Sequence, residues 1–256
     1  MNLTVVFNHI PRTGGTTLRI ILNKVYGEDY VFFIKSKDIL FSLQELENMD
    51  PEERKKFKVI SGHGSNLFLK YIENPFRICV LREPVSMFIS QYYYLRKSLN
   101  SNFLEDVRTL SSFSDYIDYA VEKGHDNMLT RFLSESHQWL IDQNARPIIN
   151  DDIVKAKDSI EKYNAIFDLS NFDDGIFALS KMLSWNNIPL YKRSNKSLKQ
   201  TNQNVTREDL KRVRSILEPD IELYNYFQNI KLDTSFLYKP DILFRLRQYA
   251  VNRLFG

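Results

Sequence analysis

Five short apolar runs, interleaved with stretches of helical periodicity, restrict this chain more than any single residue does. Residues 3–7 (LTVVF), 30–34 (YVFFI), 58–63 (KVISGH), 76–82 (FRICVLR) and 165–170 (AIFDLS) are rich in β-branched and aromatic side chains and have the length of buried strands. Leu18, Ile21, Leu22 and Val25 repeat at helical spacing, and residues 42–57 read as a charged helix broken at Pro51. Pro84 opens a further helix, EPVSMFISQYYYLRKSL. Helices are predicted around 113–122, 126–134, 151–163, 173–184 and 207–229. Strands alternating with helices demand crossover connections, so the chain reads as an α/β fold with a mostly parallel central sheet. Such sheets bind ligands at the carboxyl ends of their strands. The segments 9–17, 61–66 and 82–90 each follow a predicted strand and can converge there.

The chain has 256 residues, of which 43% are hydrophobic and 26% charged, enough for a substantial core. With eight glycines, eight prolines and no internal repeat, a single domain over residues 1–256 is expected, with a helical tail at about 240–256. Net charge is +3, too small to argue for nucleic acid. The excess gathers between residues 193 and 214, where seven basic side chains face only Glu208 and Asp209. Cys79 is the single cysteine and sits inside an apolar run, which makes it a core residue. No apolar span reaches 18 residues and Met1 leads straight into the first strand, so a cytoplasmic protein without a transmembrane segment is expected. The tail carries Arg245, Arg247 and Arg253 on an amphipathic pattern, suited to docking on the domain, on a second copy or on an anionic membrane.

At the first strand end the sequence reads HIPRTGGTT. Gly14 and Gly15 let backbone N–H groups close around a ligand at the positive end of the following helix. Thr13, Thr16 and Thr17 add hydroxyl donors and Arg12 a fixed charge, a set that suits an anion. A phosphate loop of the G-x-x-x-x-G-K-[ST] kind is absent, and the buried strand at 76–82 ends in Arg82, where nucleotide kinases place a magnesium-binding aspartate. Ser90 follows Arg82 by eight residues, so a guanidinium fork and a hydroxyl can approach one phosphate from two sides.

PRTGGTTL resembles the 5′-phosphosulfate loop, and LREPVSMFISQYYYLR the 3′-phosphate segment, of sulfotransferases that use 3′-phosphoadenosine 5′-phosphosulfate (PAPS). The second segment is especially similar to the branch containing the heparan sulfate 2-O- and 6-O-sulfotransferases and their bacterial relatives. DNMLTRFLS (126–134) and LEPDIELYNYF (217–227) also resemble that branch. The resemblance implies a P-loop-like three-layer α/β fold, PAPS as donor and a hydroxyl acceptor, in that branch a saccharide. It implies that Arg12 and residues 13–17 hold the 5′-phosphosulfate, that Arg82 and Ser90 hold the 3′-phosphate, and that no metal is required. The family usually has lysine at the position of Arg12, and many relatives have a basic residue at that of Met87.

Sulfuryl transfer to a hydroxyl needs a proton acceptor, and histidine suits neutral pH. Of His9, His63, His125 and His137, His63 closes a strand in a GH element similar to the one that carries the base in the 2-O-sulfotransferase branch. His9, beside the loop, is the next candidate. Tyr92, Tyr93 and Tyr94 can form core or a stacking surface, and Asn127 and Arg131 can face a cleft or bond internally. Lys196 and Lys199 occupy the position of a late loop that folds over the nucleotide in relatives. A nucleotide-binding module that no longer catalyses, with Arg12 as its mark, is the alternative from another class, and a P-loop nucleotide kinase the weaker one.

Overall fold

The structure, a computed structural model, describes residues 3–35, 38–97, 105–134, 146–192, 205–234 and 248. His137, the loop containing Lys196 and Lys199, and the basic tail apart from Gln248 lie outside these residues. Contacts divide the chain into two compact units, one formed by residues 1–81, 160–196 and 228–256, the other by 82–159 and 197–227.

The first unit carries the sheet. Strands β1 (Thr4–Asn8), β2 (Val31–Phe33), β3 (Val59–Gly62), β4 (Pro75–Leu81) and β5 (Ala165–Asp168) lie in the order β2-β3-β1-β4-β5, all parallel. This is the predicted α/β fold of P-loop-like type, with every strand within two residues of its expected position. Asn8 is level with Gly62 on one side and Cys79 on the other, so β1 ends where the strand order reverses.

Alternation along the strands gives the sheet two different faces. Val5 and Phe7 of β1, Ile78 and Val80 of β4, and Phe167 of β5 point to one face. There they meet Leu18, Ile21 and Leu22 of α1 (Gly15–Tyr26). After helices α2 (Ile39–Asn48), α3 (Pro51–Arg54) and those of the second unit, α9 (Phe172–Met182) adds Ile176 and Leu179 to the same cluster. Cys79, on the other face, is buried, and burial drives its thiol pKa up, as for an inert core residue. Gln248 is also buried and donates to the Tyr191 carbonyl at 2.7 Å.

The second unit is helical among the described residues: α4 (Pro84–Lys97), α5 (Glu105–Thr109), α6 (Phe113–Glu122), α7 (Met128–Leu133), most of α8 (Asn150–Glu161), α10 (Arg207–Ile216) and the start of α11 (Glu218–Thr234). Val85, Phe88, Tyr92 and Leu95, one stripe of α4, pack with Phe113, Tyr116, Ile117 and Val213. Tyr92 is therefore core, while Tyr94 is exposed. The expected helix over 207–229 is two helices. Leu217 leaves helical geometry at ψ 15°, and Pro219 takes the first turn of α11, where its missing N–H costs nothing. Among the described residues no helix is long and apolar enough to cross a membrane.

Close approach of α9 to the sheet depends on Gly175. A Cβ there would stand 2.2 Å from Cδ2 of Phe167, a buried ring in the core. Gly175→Ala should gain up to about 1 kcal/mol of helix propensity but lose about 1–3 kcal/mol to overpacking. A lower urea midpoint at unchanged slope is the expected outcome, and an unchanged or higher midpoint would refute the packing argument.

Candidate active site

The carboxyl end of β1 runs through residues 9–14 into α1. Gly14 caps the helix in the left-handed region at φ 87°, no side chain caps it, and no acidic residue lies in its first turn. The N–H groups of Thr17 and Leu18 return to the Gly14 carbonyl at 3.0 and 3.3 Å. The earlier amides have no intrahelical acceptor, and the helix end is electropositive. Thr13 is fully buried and its hydroxyl donates to the Ile10 carbonyl at 2.8 Å, so its one proton closes the loop. Arg12 also sits in the left-handed region, at φ 64°, and is half-buried. Thr16 is half-buried and Thr17 buried.

Gly15 is fixed by a neighbour. A Cβ at this position would lie 1.9 Å from Cδ2 of His9, because the imidazole occupies that space. On its other sides the His9 ring stacks between Phe7, at 5.5 Å, and His63, at 4.6 Å with 27° between the planes. The His9 peptide clamps the next strand end: its N–H donates to the Gly62 carbonyl at 3.1 Å, and its carbonyl accepts from Nδ1 of His63 at 2.5 Å.

That last bond sets the tautomer. A carbonyl can only accept, so Nδ1 of His63 carries the hydrogen and Nε2 of the neutral ring holds the basic lone pair. Burial lowers the pKa of His63, and the Arg19 guanidinium lowers it further, against the opposing pull of the His9 carbonyl. Burial, the neighbouring His63, and the charges of Arg19 and Arg12 hold His9 well below the usual imidazole range. Both rings are neutral at pH 7. Arg19, one turn beyond Gly15 on the same face of α1, is a member of this group that reading the loop as a motif does not find. Its guanidinium also lies over the Phe33 ring at 4.5 Å.

In the second unit, Arg82 is half-buried and Ser90, on α4, is buried. Between them Glu83 accepts from the N–H groups of Val85 and Ser86 at 3.1 and 2.7 Å, which makes the acid before Pro84 a helix cap. Ser90 lies two turns beyond Glu83 on the same side of the helix. Met87 is buried. Asn127 and Arg131 bond internally: Arg131 pairs with Asp126 at 2.7 Å, and Asn127 donates to the Ile216 carbonyl at 2.7 Å. Burial pushes the pKa of His125 down to about 4. Among the described residues no three His, Cys, Asp or Glu side chains cluster as metal ligands.

The dependence of the histidine pair on Gly15 is testable. Gly15→Ala should drive the His9 ring out of its stack into solvent. Since burial is the largest cause of the depressed His9 pKa, that value should rise toward the ordinary ~6.5. An NMR titration of the ring signals follows this directly, and a His9 pKa still as low as in wild type would show that the glycine is not what admits the ring.

The arrangement is an electropositive helix end against a pair of stacked neutral imidazoles, the outer of which, His63, has a defined tautomer. Among curated proteins no sequence matches the chain. The model of the sulfotransferase family matches residues 2–227, across all five strands and the segments carrying Arg12, His63, Arg82 and Ser90. The chain thus belongs to the sulfotransferase family, transferases that move a sulfuryl group from a donor to an acceptor.

Proposed function

We propose that this sulfotransferase takes its sulfuryl group from PAPS and transfers it to a hydroxyl of a saccharide, with His63 as the base. The observation that carries the reading is that the uncapped head of α1 packs on the His9 ring, which stacks on His63, an imidazole whose Nδ1–H is committed to the His9 carbonyl. The residues fit an anionic donor. Gly14 turns the chain into α1 at φ 87°, and the first turn of the helix offers amides and no acid. PAPS supplies an activated sulfuryl group on a phosphate leaving group.

In this scheme the amides of residues 13–16, the Thr16 and Thr17 hydroxyls and Arg12 hold the 5′-phosphosulfate. Arg12 also offsets the charge that develops on the leaving phosphate. Arg82 and Ser90 hold the 3′-phosphate, and Lys196 and Lys199 complete the nucleotide site. Nε2 of His63 takes the proton of the acceptor hydroxyl as its oxygen attacks, and the His9 carbonyl stabilises the resulting imidazolium through Nδ1–H. The saccharide acceptor rests on the likeness of residues 81–96 to the heparan sulfate branch. Arg12, which stands where relatives carry lysine, favours a second reading in which the nucleotide still binds but transfer is lost.

Two measurements test this. Adenosine 3′,5′-bisphosphate should bind far more tightly than AMP, because its 3′-phosphate adds charge-assisted hydrogen bonds to Arg82 and Ser90 that AMP cannot make. Arg82→Ala should erase most of that difference, and equal affinities in the wild type would remove the 3′-phosphate assignment.

His63→Ala should leave adenosine 3′,5′-bisphosphate affinity within a few-fold of wild type and lower sulfate transfer by about 10²- to 10⁴-fold. Protonation removes the base, and the pKa of His63 is lowered. The wild-type rate should therefore stay flat through neutrality and fall only below the ordinary value of ~6.5. An acid limb above that value would assign the titration to another group. Nucleotide binding without transfer to sugar, phenol or alcohol acceptors would establish the second reading.

A further inference from the structure

On the face of the sheet opposite the α1 cluster, the end of β1 meets a buried polar seam. Asn8 is fully buried and donates through Nδ2 to the Tyr163 hydroxyl at 2.8 Å. Asn66, three residues after His63, donates through its own Nδ2 to the same oxygen at 3.1 Å, and the hydroxyl's proton has Asn66 Oδ1 at 3.4 Å. Tyr163 is itself held. Its N–H bonds to the Ile160 carbonyl, and the Arg77 guanidinium lies over its ring at 4.5 Å. The next residue, Asn164, is bonded to the Arg77 backbone in both directions, at 2.8 and 2.9 Å. One phenolic oxygen, fastened beside β4, thus joins the residue before His9 to the turn after His63.

We propose that Tyr163 is a positioning residue for the proton-accepting imidazole. Its hydroxyl keeps the end of β1 and the His63 turn together, so that the His9 carbonyl meets Nδ1 of His63 and leaves the lone pair on Nε2. The proposal rests on the reading of His63 as the base, but its structural half does not. The bond from His63 to His9 joins two parallel strand ends, and a hydrogen bond weakens steeply as its partners move out of line. β3 is only four residues long and ends at Gly62, so ladder bonds alone hold the following turn weakly. The two asparagines supply the missing tie, and they share a single acceptor. Removing that oxygen leaves two buried amide donors without it at once. Tyr163 acts through His63 and has no required contact with donor or acceptor.

The test is Tyr163→Phe, which deletes one oxygen and keeps the ring under Arg77. In ¹⁵N spectra of the imidazoles, with His63 identified by its loss in His63→Ala, the wild type should show Nδ1 protonated and Nε2 not. Tyr163→Phe should move both nitrogens toward the averaged values of a ring exchanging between tautomers. Adenosine 3′,5′-bisphosphate affinity should stay within about threefold while kcat for transfer falls by about 10- to 100-fold. Should Tyr163→Phe fail to fold, Asn66→Ala cuts one arm of the same tie and must shift the same two signals. A folded variant with the wild-type His63 spectrum overturns the proposal, whatever its activity. A shifted spectrum with undiminished transfer, in this variant and in His63→Ala alike, overturns the reading of His63 as base and leaves the tie in place.

Discussion

The site is built around a missing side chain. The His9 imidazole fills the volume that any Cβ at position 15 would need, and this lets a ring stand against the first turn of α1. From there each contact constrains the next. The ring stacks on His63, the His9 peptide clasps Gly62 and His63, and the His63 tautomer follows from the carbonyl it faces. Gly14, adjacent, turns the chain into the helix at φ 87°. The two glycines therefore serve different ends: one admits a backbone conformation, the other admits a neighbour.

The sheet divides the work between its faces. One is aliphatic and aromatic, closed by α1 and α9, and gives the strands a fixed register. The other carries Asn8, Arg77 and Tyr163 near the same strand ends. Buried polar groups of this kind contribute little net stability when satisfied, but they hold one geometry, since every alternative leaves a donor unpaired. A carbonyl-to-imidazole bond needs that fixity more than it needs additional packing energy.

The strands were legible in the sequence because they read as short apolar runs, continuous in the buried central strands β1, β3 and β4, and the loops that end them carry glycine, arginine and histidine in recognisable order. The break between α10 and α11 was less visible. Helical periodicity persists across Leu217, and only Pro219 marks the interruption. Glu83 was legible as an acid before proline, and its bonds to two amides explain it as a cap. Hidden altogether was the relation of Asn8, Asn66 and Tyr163, since Asn8 stands 155 positions from the Tyr163 hydroxyl that it shares with Asn66. Arg19 was hidden for another reason: on a helix surface an arginine is unremarkable until the fold places two histidines within its field.

That field bears on how a weakly basic imidazole can serve the proposed reaction. Arg19 acts on both rings and Arg12 on His9, and each guanidinium opposes protonation. The same charges, with the positive end of α1, attract an anion to the loop. An anion seated there compensates the guanidiniums, so the electrostatic part of the depression of His63 diminishes while the part due to burial remains. With the site empty, His63 is a poor proton acceptor and stays neutral. In the proposed reaction a multiply charged donor would offset only the Arg19 part of that depression, the smallest of its causes, and leave the larger part due to burial. Lysine in place of Arg12 would keep the sign of its effect on His9, because that depends on charge, whereas contacts to the leaving phosphate depend on the geometry of a planar fork against a single ammonium.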